Sequence, residues 1–298
     1  MAIDLQQALA TGIFLGLVYS LVALGFAVTF GVMRIANFAH GEFVMAGMYA
    51  MIFFNGVLGL PVVLAVLLTT AVVAMIGMVF ERLTIEPIAG YSHYMQMIVT
   101  LGGLLILQQI AALLFGDAPM GLNLRYPALG LELGAAFISG TRVVAGVVAL
   151  VAIAAVFVAL RYTYFGRAVR AVADNRVSAQ LLGVKSPTVN SIAFGLGSGC
   201  AGLAGALVVP FLYADPFVGL ALTVKSFVVV MIAGSRSIVR IMVAAIGLGL
   251  VEATSSIYVP LSLVPAVTYA SLISALVVTM ALQQRTGSRI GVGEKEVA

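Results

Sequence analysis

LQQALATGIFLGLVYSLVALGFAVTFGVM, residues Leu5–Met33, carries no charged side chain and no proline. Roughly 20 apolar helical residues cross the hydrocarbon of a bilayer, so a stretch of this length and character predicts a transmembrane helix. The pattern then recurs. Phe43–Phe80, Tyr94–Gly116, Val143–Leu160, Ser186–Ala214 and Ala253–Gln284 are also free of charge. Apolar residues make up 62% of the chain and charged residues 9%, too little charge to wet the surface of a soluble domain of 298 residues. A transmembrane β-barrel would alternate apolar and polar positions in segments of about ten residues, and nothing here alternates. The sequence therefore predicts an all-α, polytopic integral membrane helix bundle, a single transmembrane domain over residues 1–298 with about 8–10 spans, some broken or re-entrant. The first run follows only Asp4, with neither a basic n-region nor a small-residue cleavage site, and reads as a retained helix rather than a signal peptide.

Lys and Arg concentrate on the cytoplasmic side of membrane proteins. Arg161–Lys185 holds Arg161, Arg167, Arg170, Arg176 and Lys185 against Asp174, five minus one, which equals the net charge of +4 for the whole chain. The tail adds Arg285, Arg289 and Lys295. Both regions are expected in the cytoplasm, so the positive charge is topological and implies no nucleic-acid partner. Residues 116–140, with one Arg, two acids and several Gly and Pro, read as the main external loop. Helices are expected near 8–33, 38–55, 61–81, 96–115, 141–160, 189–212, 221–235, 240–258 and 264–282, which would put the N-terminus outside and the C-terminus inside.

Two places resist this reading. Phe43–Asn55 is too short to span before the Gly56/Gly59/Pro61 break, unless it starts earlier and draws Asn37, His40 and Glu42 into the membrane. Ser226–Ser235 and Ile241–Val251 are each too short as well; either they form a re-entrant pair, or Lys225 and Glu252 lie at depth. Short or broken segments in matching halves of a chain point to a transport site. Asn37, His40, Glu42 and Glu252 are therefore the candidate pathway residues, because an ionisable group at membrane depth costs at least ~2.5 kcal/mol and needs a partner or a wet cavity. The competing reading has Asn37–Glu42 simply capping a helix at the interface. Lys225 is expected to snorkel outward, and Gln108 and Gln109 to bond between helices. Small residues spaced four apart, Gly12 and Gly16, Gly195 and Gly199, Ala201 and Gly205, are expected to pack helices within the chain. Two histidines far apart and a single Cys200 offer neither a metal site nor a nucleophile with its base, so no enzyme activity and no cofactor are expected.

Three stretches resemble a known family. Asn37-Phe38-Ala39-His40-Gly41-Glu42 is similar to the NFAHGE motif of LivH-type permeases, the membrane subunits of branched-chain amino acid ABC importers. Arg167–Val184 (RAVRAVADNRVSAQLLGV) resembles their cytoplasmic coupling loop, and Ile192–Val209 the helix that follows it. The likeness runs from about residue 8 to 282. Ile232–Ala244 (IAGSRSIVRIMVA) departs from it, with Arg236 and Arg240 where such permeases carry glycines and neutral residues, and the tail Gln283–Gly291 lacks the usual RPxGLFG. The resemblance implies a multi-pass protein of the bacterial cytoplasmic membrane. Its partners would be a second, LivM-like permease, two cytoplasmic ATPase subunits and an external solute-binding protein. The chain has no phosphate-cradling G-x-x-x-x-G-K-[ST], so any ATP dependence would come from those partners. A stand-alone ion- or proton-coupled transporter, with Glu42 or Glu252 as proton site, is the alternative.

Within the basic loop (about 161–188), the spacing predicts one helix over Ala168–Leu182, and the resemblance implies that it docks on an ATPase. Val169, Val172, Ala173 and Val177 would share a face that Leu181 continues. Arg170, Asp174 and Arg176 would rim it, and Gly183 would end it.

Overall fold

The computed structural model describes residues 2–124, 130–133, 136–235 and 237–285. Arg236, Arg289 and Lys295 lie outside the described residues, as does the tail beyond Arg285. The described chain is helical almost throughout: α1 (Ala2–Met33), α2 (His40–Met51), α3 (Val62–Phe80), α4 (His93–Phe115), α5 (Gly140–Tyr162), α6 (Tyr164–Asp174), α7 (Arg176–Leu181), α8 (Ser186–Val208), α9 (Val218–Ala233), α10 (Ile238–Tyr258) and α11 (Val264–Arg285). π-helical turns carry α2 on through Val57 and α3 through Ile85. Seven of these helices are long and apolar enough to cross a membrane, and the protein is a multi-pass, all-α membrane bundle. The shorter α2 and α9 hold two of the segments that the sequence singled out as short. The third, Ile241–Val251, lies inside the 21-residue α10, which is long enough to span because the helix continues through Glu252 to Tyr258.

α1 and α8 form the centre. In the apolar windows of these two helices 72% and 83% of residues are buried, against 17–28% for the other five long helices. Composition explains the placement. α8 is rich in Gly, Ala and Ser, so it has little apolar bulk to offer lipid, and its bare backbone admits close neighbours. Gly195 and Gly199 meet Met78, Ala74 and Thr70 of α3, while Gly205 meets Val44 and Met48 of α2. On α1, Gly12 and Gly16 receive Gly249 and Ile246 of α10, so the small-residue spacing does pack helices within the chain. Phe43, Phe80 and Phe194 join α2, α3 and α8 in one aromatic cluster with ring centroids 5.6–6.0 Å apart. The outer helices turn Val, Leu and Ile outward, which suits lipid.

The two ends of the bundle differ. At one end Arg34 donates to the carbonyl of Ala173 (3.3 Å), Arg82 to Ser191 (3.4 Å), and Arg170 to the carbonyl of Leu160. At the other end, the 116–140 stretch is not loop throughout but contains a short antiparallel pair, β1 (Leu131–Leu133) with β2 (Ala136–Ile138). Gln7 clamps it by two reciprocal bonds to the backbone of Phe137 (2.7 and 2.8 Å), and Met120 pairs with Ala214.

The basic loop folds differently from expectation. Instead of one helix over Ala168–Leu182, the chain breaks at Asn175, whose backbone is extended (φ −154°, ψ 107°) and whose Oδ1 accepts the N–H of Ser178 at 3.0 Å. Asn is among the strongest N-caps, and that local bond outweighs continuing the apolar stripe. The predicted common face is therefore split. Val169 and Val172 turn into the bundle, whereas Val177 is 65% exposed and Leu181 84%. Gly183 does end α7, taking the left-handed φ of 84° that glycine adopts freely.

Candidate functional site

α1 stops at Met33, and Arg34, at φ 55°, reverses the chain. Residues 35–39 then run back along the bundle, and α2 begins at depth rather than at an interface. His40 Nε2 sits 3.0 Å from the carbonyl of Val22, in the middle third of α1, and its ring packs edge-on against Phe26. Asn37 Oδ1 accepts the N–H of Ala39 at 3.0 Å in a buried turn just ahead of α2, whose N-cap is Ala39 and whose first turn takes no side-chain cap. Asn37, His40 and Glu42 have at most 2% of their surface exposed. These residues, which the shortness of α2 singled out, are buried inside the bundle.

Three helices close around Glu42. Gln108 of α4 donates to its Oε1 at 3.1 Å. From α9, Gly219 lies flat against the carboxylate, where any Cβ would strike it, and Gly41 abuts the backbone of Gly219 just as closely. Thr223, one turn further along α9, accepts the N–H of Gly41 (2.7 Å) and donates to the carbonyl of Phe38 (3.0 Å). Thr100 of α4 accepts the N–H of Phe38 at 3.3 Å. The cluster is sealed but not satisfied: Asn37 Nδ2, His40 Nδ1 and Glu42 Oε2 are buried with no hydrogen-bond partner. Buried polar groups are nearly all paired in folded proteins, so three orphans at one helix start set this place apart.

Glu252 is not part of this cluster. It lies on α10 in an ion pair with Lys225 of α9, at 2.8 and 2.9 Å, and Lys225 also donates to the hydroxyl of Tyr19 at 3.1 Å. Lys225 therefore turns inward to a carboxylate instead of snorkelling, because an opposite charge lies within reach. The pair joins α9 to α10 with its side chains only 13% and 22% exposed. Gln108 bonds between helices as expected, whereas Gln109 is exposed. Sequence reading missed Thr100, Gly219, Thr223 and Tyr19; the signal for two of them was the shortness of α9, which had already drawn attention to it.

The remaining candidates cluster at the basic end. Arg170 lies on α6 and Arg176 opens α7; both Asp174 and Arg176 wall a cavity beneath the α1–α2 connection. Val177 and Leu181 stand out on α7.

A multi-pass bundle with unsatisfied polar groups held in its middle, at the start of a helix that begins at depth, has the architecture of a membrane transport protein. Residues 8–282 match the family described as branched-chain amino acid transport system / permease component, and the chain belongs to that family. It is 30% identical over 285 residues to the high-affinity branched-chain amino acid transport system permease protein LivH of Escherichia coli K12, covering 91% of this chain and 92% of that one. LivH of Salmonella typhimurium is 28% identical over the same shares, and BraD of Pseudomonas aeruginosa 26% identical over 83% of this chain and 85% of its own. No solved structure matches the chain.

Proposed function

We propose that the chain is a translocation subunit of an ATP-driven importer in the bacterial cytoplasmic membrane. It moves a branched-chain amino acid, or a related small amide or organic acid, by alternating access. It works with a second, LivM-like permease, two cytoplasmic ATPase subunits and an external solute-binding protein. The names of the relatives support the substrate class, and the cluster of Arg and Lys at one end supports placing that end, with α6 and α7, in the cytoplasm. The observation that carries the reading is the tip of α7. Val177, Leu181 and Leu182 are 65%, 84% and 84% exposed at the basic end, which this reading places in the cytoplasm. An apolar ridge there fits a groove on an ATPase subunit, with Arg170 and Arg176 tuning orientation and salt sensitivity.

The same segment offers a route inward. α6 is tied to the bundle by the bond from Arg34 to the carbonyl of Ala173, and Arg34 begins the stretch that ends in the Asn37–Glu42 cluster. A displacement of docked α7 thus reaches the start of α2 through one hydrogen bond and the short non-helical connection after it. Asn37, His40 and Glu42 line the path in this reading, their orphan groups being met when the bundle opens. Replacing Val177 and Leu181 by Asp should abolish assembly with the ATPases or stimulated ATP hydrolysis while the subunit still inserts in the membrane. Normal assembly and import by the double variant would sink the docking claim. Uptake should collapse when ATP is depleted and survive loss of the proton gradient; the reverse would point to a stand-alone coupled transporter.

A further inference from the structure

At the basic end, beneath the α1–α2 connection, lies a cavity of about 400 Å³ whose rim carries the exposed side chains of Arg34, Glu86, His93 and Arg176. Its inner wall is apolar, with Val32, Ile35 and Val172 buried there. Asn37, His40 and Glu42 do not line it, although Ile35 is close to Asn37 in the chain. What stands between the open cavity and the sealed cluster is the backbone of residues 36–39.

Two threonines on different helices hold that backbone. On α4, Thr100 Oγ1 accepts the N–H of Phe38 at 3.3 Å and lies 3.3 Å from the carbonyl of Ala36. On α9, Thr223 Oγ1 accepts the N–H of Gly41 at 2.7 Å and lies 3.0 Å from the carbonyl of Phe38. Both side chains are buried. A hydroxyl has one proton, and each of these has a second acceptor on its own helix. The carbonyl of Met97 lies 3.0 Å from Thr100 Oγ1, and that of Gly219 lies 3.2 Å from Thr223 Oγ1. Bonding back to the preceding turn is a ready alternative for a helical threonine. Each hydroxyl can therefore release the connection without stranding its own proton, while the freed backbone groups meet water from the cavity. A tie that opens and closes repeatedly needs such a fallback.

We propose that residues 36–39 form the inner gate of the translocation path, with Thr100 and Thr223 as its releasable ties. The cavity is then the vestibule through which a small polar solute leaves. Arg34, bonded to the carbonyl of Ala173, is the handle by which α6 reaches the gate. The gating role rests on the import reading above. The test places single cysteines in a Cys200→Ala background and follows their reaction with a membrane-impermeant methanethiosulfonate in inside-out vesicles carrying the assembled complex. Ala89→Cys, on the cavity wall, should react fast throughout. Ala39→Cys, buried behind the ties, should react much more slowly in the nucleotide-free or the vanadate-arrested complex. Thr100→Val with Thr223→Val should raise that slow rate about tenfold or more, the effect of losing two hydrogen bonds, whereas Thr100→Ser with Thr223→Ser should keep the protection. Either valine alone should raise it by a smaller factor, which keeps the test open if the pair does not assemble. Leucine uptake should fall with the valine pair while ATP hydrolysis persists, and the serine pair should import normally. Equal reaction of Ala39→Cys and Ala89→Cys in both states would overturn the inference, as would protection that no valine variant weakens. If ATP depletion spares wild-type uptake, the import reading fails, yet a labelling contrast that serine reverses still supports the gate.

Discussion

Glu42 and Glu252 are both carboxylates brought to depth, one in each half of the chain, and the bundle accommodates them by opposite means. Glu252 has a full counter-charge: both its oxygens accept from Lys225, which adds the Tyr19 hydroxyl and lies 4.8 Å from the centre of the Tyr19 ring. Glu42 has one amide donor, the flat backbone of Gly219, and an oxygen with no partner. A satisfied pair is a brace, because either partner moving away leaves a bare charge. A half-satisfied carboxylate among small residues is suited to change partners. The two halves thus suggest a division between a fixed element around α1, α9 and α10 and a labile one where α2, α4 and α9 meet.

The strongest challenge to that division is Glu252→Ala. It strands Lys225 in the bundle; breaking a fully buried pair from one side costs about 3–5 kcal/mol, and this pair, 13% and 22% exposed, falls toward the lower end of that range. Thermal unfolding of the detergent-solubilised complex should show a large loss, and little mature protein should accumulate. The double variant Lys225→Met with Glu252→Leu should regain most of that stability and also import. Recovered stability without recovered uptake would move Glu252 from brace to pathway.

At the other site the expected pattern is reversed. Gly219→Ala places a methyl against the Glu42 carboxylate and should cost about 1–3 kcal/mol by overpacking, with Glu42→Ala partly relieving it. Glu42→Gln keeps an oxygen for Gln108 and should change stability by no more than about 1 kcal/mol. Uptake of labelled leucine should nonetheless fall about tenfold or more, a barrier change of roughly 1.4 kcal/mol or greater. Normal transport by this variant, or by Glu42→Ala, would reduce Asn37–Glu42 to a buried helix start.

How far the sequence could anticipate this follows from which interactions are local. Helix positions were legible because charge spacing and helix length are set by the bilayer: α4, expected at 96–115, runs His93–Phe115. The burial of Asn37, His40 and Glu42 was signalled by the short apolar run after them. The Lys225–Glu252 pair was not, since it joins residues on two helices whose facing sides depend on tertiary packing. Asn175 shows the opposite failure. Its capping tendency was readable locally, yet the apolar periodicity across it suggested one helix, and the cap prevailed. Gly219 had no signal of its own; its role exists only because Glu42 lies opposite.

The smallest expected effect separates the two sites most sharply. Tyr19→Phe removes the hydroxyl that Lys225 reaches at 3.1 Å, but leaves both carboxylate bonds and the ring beside the ammonium. A hydrogen bond of this kind contributes about 0.5–1.5 kcal/mol, and the phenyl ring fills nearly the same volume, so no cavity adds to the loss. If α1, α9 and α10 form a brace, the variant should unfold at a slightly lower temperature and import at the wild-type rate, since a brace with two of three bonds intact still holds. If the pair instead changes partners during transport, the hydroxyl is one of the groups that must take over when Lys225 and Glu252 part. Stability would then barely move while the uptake rate dropped. Measuring unfolding temperature and leucine uptake on the same preparation distinguishes these outcomes, and a selective loss of uptake would erase the distinction between the two carboxylates.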